Sequence, residues 1–179
     1  MVRLRFALFA VFGTMLAASA VAAQHDAPAG RAGTSLRNAQ NQMVGTATAA
    51  RQDGIVRVRI DVRGFAPGTY GVHLHQTGRC EAPDFASAGP HWNPAARQHG
   101  RHNPQGPHLG DLPNLEVRAN GTGRVEFDVA VPAGTAAGAN PLLDVDGTAV
   151  VVHAAADDER TDPSGNSGAR IACGVFAAR

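Results

Sequence analysis

Residues 55–62 alternate apolar and charged side chains over eight positions. A period of two residues is typical of a β-strand with one face on a core and the other toward solvent. Asp53-Gly54, directly before this segment, is a tight-turn dipeptide, and residues 43–48 before the turn also have strand character. The sequence therefore predicts a β-hairpin here and a fold built on half-buried strands.

Further short strands are expected along the chain, separated by turn signals. No segment beyond the N-terminal stretch has a clear 3.6-residue period, and no internal repeat or second domain is apparent. Short strands with Gly, Pro and Asn turns between them predict an all-β sandwich or barrel. The expected strands cover residues 70–74, 115–117, 124–129, 149–153 and 171–176.

Residues 1–23 are expected to be an export signal, because a short basic start is followed by an apolar run and then by small residues. Cleavage is expected after Ala22 or Ala23. Residues 24–33 are rich in Ala, Pro and Gly and predict a flexible lead-in, which leaves the folded domain at 34–179. An export signal places the mature protein in the periplasm or outside the cell.

The expected partners follow from charge and from the N-terminal region. The formal net charge of +1 becomes −1 when Arg3 and Arg5 are removed with the signal. No run of basic residues is present, so nucleic acid is not an expected partner. A membrane anchor is not expected either, because no charged stop follows the apolar run and no cysteine lies near the cleavage region.

Histidines are concentrated in and around residues 76–113, a long segment with many glycines and prolines. His73 and His75 precede it in a predicted strand, where residues two apart share a face, so both imidazoles point to one place. Neutral imidazoles with one carboxylate favour copper or zinc and suit calcium or magnesium poorly. A metal would also order a segment that has few large apolar residues. The further candidate ligands are His91, His99, His108, Asp111 and His153.

The chain has two cysteines, Cys80 and Cys173. In an exported protein a disulfide is the default expectation. A pair of metal-bound thiolates is the alternative that the residues alone leave open.

Five stretches, in the expected order, resemble the signature motifs of copper/zinc superoxide dismutases. The resemblance runs from about Thr34 to Phe176, and His99 follows His91 by eight residues, as in the family. The stretches are Gly-Val-His-Leu-His at 71–75, Ser-Ala-Gly-Pro-His-Trp-Asn-Pro at 87–94, His-Leu-Gly-Asp-Leu at 108–112, Val-Val-His with Ala-Asp-Asp at 151–158, and Gly-Asn-Ser-Gly-Ala-Arg-Ile-Ala-Cys-Gly at 165–174.

The resemblance implies an eight-stranded Greek-key β-barrel with long metal-binding loops, and one copper and one zinc per subunit. His91 would bridge the two metals. The implied copper ligands are His73, His75, His91 and His153, and the implied zinc ligands are His91, His99, His108 and Asp111.

The resemblance also implies roles for residues outside the ligand sets. Asp157 would accept hydrogen bonds from one histidine of each metal and so fix both rings. Arg170 would stand beside copper and attract the anionic substrate. Cys80 and Cys173 would form the family's disulfide.

The implied activity is conversion of superoxide into dioxygen and hydrogen peroxide, which would protect the cell envelope. Copper is the redox metal and zinc the organiser, because zinc has no redox chemistry. A non-enzymatic copper or zinc buffer needs no arginine such as Arg170, and a copper-delivery module is expected to bring a thiol-bearing copper domain. Dimers are common in the family, so a homodimer is an expectation, although the sequence identifies no interface.

Three features depart from the family pattern. The chain has no lysine, and the loop at 157–162 is short and acidic, so weaker electrostatic attraction of substrate is expected than in lysine-rich relatives. His102 has no family role and is expected to be a solvated loop residue. His25 would be third in a mature chain that starts at Ala23, where it is either an auxiliary Cu(II) ligand or part of a flexible tail.

Overall fold

The computed structural model of the chain describes residues 30–132, 134 and 141–178. The predicted export signal, residues 24–29 of the predicted lead-in and His25 lie outside the described residues. The first strand, β1 (Arg31–Asn38), begins three residues before the expected domain start at Thr34. Ala32 and Gly33 are buried in this strand. Alanine and glycine give this segment no apolar pattern that the sequence could reveal.

The described residues form ten strands and two single turns of 3₁₀-helix. The two turns are Ala86–Ala88 and Pro141–Leu143. The remaining strands are β2 (Met43–Gln52), β3 (Ile55–Arg63), β4 (Gly68–Tyr70), β5 (Val72–His75), β6 (Leu115–Val117), β7 (Thr122–Ala130), β8 (Ala149–His153), β9 (Arg170–Val175) and β10 (Ala177–Ala178).

The strands form one antiparallel sheet in the order β4-β6-β7-β3-β2-β1-β9-β8-β5, with β10 paired to β1. β4 and β5 stand at opposite ends of this order, yet only Gly71 separates them in the chain. The sheet therefore closes on itself through one continuous stretch, as a barrel. Counting β4 and β5 together, without the short β10, gives the eight strands expected from the sequence. β3 pairs with β7 and not with the next strand, which is a Greek-key connection.

Strand β3 shows how the alternating pattern builds the barrel wall. Its apolar side chains enter the core, whereas its charged side chains reach solvent, where Arg57 pairs with Asp128 of β7 at 2.7 Å. Exposed ion pairs of this kind contribute little to the free energy of unfolding, so burial of the apolar face is the main source of stability. The buried residues of β3 are Val56, Val58, Ile60 and Val62.

The long connection between β5 and β6 is fixed against β5 by backbone hydrogen bonds. The amide of Leu74 donates to the carbonyl of Gly110 at 2.9 Å, and the amide of Trp92 donates to the carbonyl of Leu74 at 2.8 Å. A Cβ atom on Gly110 would overlap the Leu74 carbonyl oxygen, so glycine is required for this approach. These contacts place the loop histidines beside the two histidines of β5.

Cys80 and Cys173 form a disulfide, with their Cα atoms 5.7 Å apart. Because both sulfurs are bonded to each other, the alternative of two metal-bound thiolates is excluded. The bond joins the β5–β6 connection to β9. Among the described residues, no helix has the length and apolar character needed to cross a membrane.

Candidate metal centre

Four buried histidines converge at one end of β5 and β8. His73 and His75 come from β5, His91 from the β5–β6 connection and His153 from the end of β8. One ring nitrogen of each lies within 4.8 Å of those of the other three. The predicted sharing of one face by His73 and His75 is confirmed, since both belong to this group, which we call the copper-side group.

Three histidines of the copper-side group each use one ring nitrogen in a hydrogen bond within the protein. The Nε2 of His73 lies 2.7 Å from Asp157 Oδ2, and the Nδ1 of His75 lies 2.8 Å from the Gly89 carbonyl oxygen. The Nδ1 of His153 lies 3.1 Å from the Gly168 carbonyl oxygen. These acceptors require a proton on the nitrogen that faces them, so the opposite nitrogen carries a lone pair.

The opposite nitrogens are buried and have no hydrogen-bond partner among residues 30–132, 134 and 141–178. They are Nδ1 of His73 and Nε2 of His75 and His153. A buried polar atom without a partner destabilises the fold unless something else satisfies it. Three lone pairs that converge from neutral imidazoles are the donor set of a transition-metal ion, so these residues fit copper.

Burial keeps these imidazoles neutral. It lowers the pKa of His73 to about 3, against a smaller opposing effect of Asp157. Burial likewise lowers the pKa of His75 to about 2 and that of His153 to about 4. Since a metal binds the neutral form of histidine, the group is ready to coordinate at neutral pH without losing protons.

A second set of donors surrounds one oxygen of Asp111 and is called the zinc-side group. The Nδ1 atoms of His91, His99 and His108 lie 3.0, 2.9 and 3.1 Å from Asp111 Oδ1. Donors about 2.0–2.1 Å from a tetrahedral zinc are about 3.3 Å from one another. The spacing, and a set of three imidazoles with one carboxylate, therefore fit zinc.

In the zinc-side group, the Asp111 carboxylate and the histidines around it attract each other and shift each other's pKa values. Burial alone would raise the pKa of Asp111, but hydrogen bonds from His108, His91 and His99 hold it well below its usual range. Burial alone would lower the pKa of His99, but Asp111 and Asp157 outweigh it and raise that pKa to about 9. The second oxygen of Asp111 accepts the amides of Gly100 and His108, both at 2.9 Å, which fixes the carboxylate plane.

His91 belongs to both groups. Its Nδ1 faces Asp111 on the zinc side, and its ring stacks on that of His73 with centroids 4.0 Å apart. Its ligand atom also lies within 4.8 Å of those of the other copper-side histidines. His73 is also close to the zinc side, and it forms a compact set with His91, His99 and Asp111.

Asp157 connects the two groups through one carboxylate. Its Oδ2 lies 2.7 Å from Nε2 of His73, and its Oδ1 lies 3.0 Å from Nε2 of His99. The side chain of Asn114 forms two hydrogen bonds with the backbone of Asp157. Its amide nitrogen donates to the Asp157 carbonyl at 2.9 Å, and its amide oxygen accepts from the Asp157 N–H at 2.8 Å. Burial raises the pKa of Asp157, but hydrogen bonds from His73 and His99 more than offset this and lower it well below its usual range.

Arg170 lies at the start of β9, partly buried beside the copper-side group. Its guanidinium donates to the carbonyls of Phe85 at 2.7 Å and Gly89 at 2.8 Å. The Gly89 carbonyl also accepts from His75, so the arginine and one candidate ligand share an anchor. Burial lowers the pKa of Arg170 from that of a free guanidinium, which nevertheless remains protonated at neutral pH.

The family model for copper/zinc superoxide dismutase matches residues 43–176. The chain belongs to the copper/zinc superoxide dismutase family. It is a superoxide dismutase, an oxidoreductase of a family that uses copper and zinc.

Relatives of this superoxide dismutase cover most of its length. Superoxide dismutase [Cu-Zn] 2 of Aquifex aeolicus is 36% identical over 147 residues, which are 82% of this chain and 86% of the relative. Superoxide dismutase [Cu-Zn] of Caulobacter vibrioides is 43% identical over 123 residues, 68% of this chain and 71% of the relative. The crystal structure of a SOD-like protein from Bacillus subtilis has a TM-score of 0.72 at 40% identity, covering 81% of this chain and 97% of that one.

The structure of this superoxide dismutase brings all seven predicted ligand residues into the two adjoining groups. His102 lies outside both: its side chain is exposed and pairs with Glu159 at 3.1 Å. Sequence reasoning missed Asn114, and it missed the Phe85 and Gly89 carbonyls that hold Arg170. Every residue has a backbone carbonyl, so the sequence does not show which carbonyls hold Arg170. A single asparagine three residues after Asp111 does not by itself indicate a contact with Asp157.

Proposed function

We propose that the copper-side group holds copper through His73, His75, His91 and His153. The zinc-side group holds zinc through His91, His99, His108 and Asp111, with His91 shared as a bridge. The observation that carries the proposal is the set of three buried lone pairs, on neutral imidazoles, that converge without a partner in the described protein.

The reaction is the conversion of two superoxide ions and two protons into dioxygen and hydrogen peroxide, and each residue near the metals has a distinct part in it. Copper, when bound, supplies the one-electron exchange with superoxide, and zinc supplies a fixed positive charge. His91 would take up a proton at Nε2 when that nitrogen is not bound to copper, and would deliver it to the product, because its Nδ1 is directed at Asp111. Arg170 binds the superoxide anion through a permanent positive charge that neutral carbonyls keep in place.

The place of action follows from the predicted export signal. We propose that residues 1–23 direct export and are removed, and that the mature protein acts in the periplasm or outside the cell. A disulfide between Cys80 and Cys173 supports an oxidising compartment. There the enzyme would protect the envelope from extracytoplasmic superoxide.

The first test is superoxide dismutation by the purified mature protein, with copper and zinc content measured on the same sample. We expect one copper and one zinc per subunit and dismutation that depends on copper. Both metals bound without turnover would contradict the proposal and favour a metal buffer. The same sample reports the oligomeric state, for which we propose a homodimer.

Asp157→Asn is expected to weaken metal binding about 10–100-fold, the usual effect of removing a carboxylate that orients metal-bound histidines. The new amide nitrogen would face the N–H of His73 or His99, so one ring loses its acceptor. Affinity is measured by competition with a chromophoric chelator. Asp158→Asn is the matched control, because the exposed Asp158 carboxylate bonds only to its own loop. Equal affinities for the two variants would contradict a role of Asp157 in both groups.

Arg170→Ala is expected to lower kcat/KM for superoxide about tenfold at low ionic strength, the lower end of electrostatic steering effects. The difference from the wild type should shrink as salt is added. Since the chain has no lysine, the salt dependence of the wild type should itself be shallow. Rates come from pulse radiolysis over a range of ionic strength, with the exposed Arg118→Ala as a charge-matched control. A steep fall of the wild-type rate with salt would contradict the expectation that electrostatic attraction is weaker here than in lysine-rich relatives.

A further inference from the structure

Arg170 is held in place without being neutralised. Both groups that accept its hydrogen bonds are backbone carbonyls, those of Phe85 and Gly89. Within residues 30–132, 134 and 141–178, no carboxylate oxygen forms an ion pair with its guanidinium within 4.0 Å. The arginine therefore keeps its full charge, and any longer-range charge in the same loop affects the field that an incoming anion experiences.

Asp84 is such a charge. It immediately precedes Phe85, the residue whose carbonyl receives one end of the guanidinium. The Asp84 carboxylate is exposed, and it accepts the amide of Ala86 at 3.0 Å, so it is fixed in the turn that presents the Phe85 carbonyl. Burial lowers the pKa of Arg170, and the negative charge of Asp84 partly opposes this. The Gly89 carbonyl accepts from both Arg170 and His75, so the guanidinium lies beside the copper-side group.

We propose that Asp84 limits the capture of superoxide, because its negative charge partly cancels the attraction that Arg170 exerts on an anion approaching the copper-side group. This inference rests on the proposed function of Arg170. Superoxide has one negative charge and little shape, so its approach depends on the sum of nearby charges. Asp84 is thus an acidic residue that lowers the rate of superoxide capture. Its loop also holds Arg170 in place through the Phe85 and Gly89 carbonyls.

The structural and electrostatic effects of Asp84 are separable. Its hydrogen bond to Ala86 needs only an acceptor oxygen, which an asparagine side chain also offers. Asn is equally suited to this type of local turn. Asp84→Asn therefore removes the charge while keeping the turn and the position of the Phe85 carbonyl.

Asp84→Asn is expected to raise kcat/KM for superoxide about twofold at low ionic strength, the order of magnitude for one exposed charge near an anion in water. The increase should disappear at about 0.5 M salt, where the screening length has fallen to about 4 Å. Glu81→Gln is the matched control: it removes one negative charge from the same loop, and Glu81 is four residues before Phe85, whose carbonyl accepts from Arg170, whereas Asp84 is adjacent to it. We expect the Glu81→Gln rate to stay within about 20% of the wild type. An unchanged or lower rate for Asp84→Asn, or an equal rise for Glu81→Gln, would overturn the proposal.

Azide binding to the copper-loaded protein gives a second readout that does not depend on turnover. Azide is a small anion whose binding to copper is followed by absorption. Asp84→Asn should lower its Kd about twofold at low salt, whereas Glu81→Gln should not change it. If the wild type does not dismutate superoxide, the proposed function fails, but the azide titration still decides on Asp84. An unchanged azide Kd in Asp84→Asn would reject the inference even in an active enzyme.

Discussion

His153→Ala is expected to reduce superoxide dismutation to background, a loss of at least about 100-fold. Loss of an outer carboxylate alone costs about 10–100-fold in metal binding, and loss of a direct donor should cost more. His153 contributes one of the three convergent lone pairs, and its other nitrogen is fixed on the Gly168 carbonyl. No other described ligand candidate is available to replace it, because the remaining ones are already committed to the two groups.

The measurement pairs the dismutation rate with metal content. Copper content should fall, whereas zinc should stay, because His153 belongs to the copper-side group alone. His102→Ala is the matched control, since His102 is exposed and lies outside both groups. Full activity in His153→Ala, or equal loss of both metals, would contradict the assignment of His153 to copper.

Removal of the disulfide is expected to lower the free energy of unfolding by about 4–5 kcal/mol. The chain-entropy estimate grows with the length of the closed loop, and the two cysteines are 93 residues apart. At about 2–4 °C per kcal/mol this lowers Tm by roughly 8–20 °C. Chemical denaturation of metal-free Cys80→Ala/Cys173→Ala measures the change without a contribution from metal binding.

The disulfide should also affect the site, because Cys80 anchors the loop that presents the Phe85 and Gly89 carbonyls to Arg170.

Reduced wild type is the control for the unfolding measurement, because reduction removes the covalent bond but leaves no cavity at Cys173. Reduced wild type and the double variant should agree in unfolding free energy within about 1 kcal/mol. If reduced wild type is as stable as the oxidised protein, the loop-closure argument is wrong here.

Much of the fold was accessible from local sequence alone. The period of two at residues 55–62 predicted β3, and Asp53-Gly54 predicted the hairpin that joins it to β2. His73 and His75 were assigned to one face of one strand, because side chains in a strand alternate. The motifs at 71–75 and 165–174 indicated the family, since such runs of residues rarely arise by chance. By contrast, β1 was not predicted as a strand, because Ala32 and Gly33 give it no apolar pattern.

The class of fold, the family and the residues able to bind metal follow from the sequence, because strand periodicity and ligand chemistry are local properties. Which nitrogen of each histidine remains available follows from the folded barrel, since it depends on partners far along the chain, such as Gly168 for His153. The hydrogen bonds between Asn114 and the Asp157 backbone, and the position of Asp84 near Arg170, likewise come from the folded structure. Barrel closure brings these residues together across 43 and 86 positions of sequence, a distance over which no local pattern carries information.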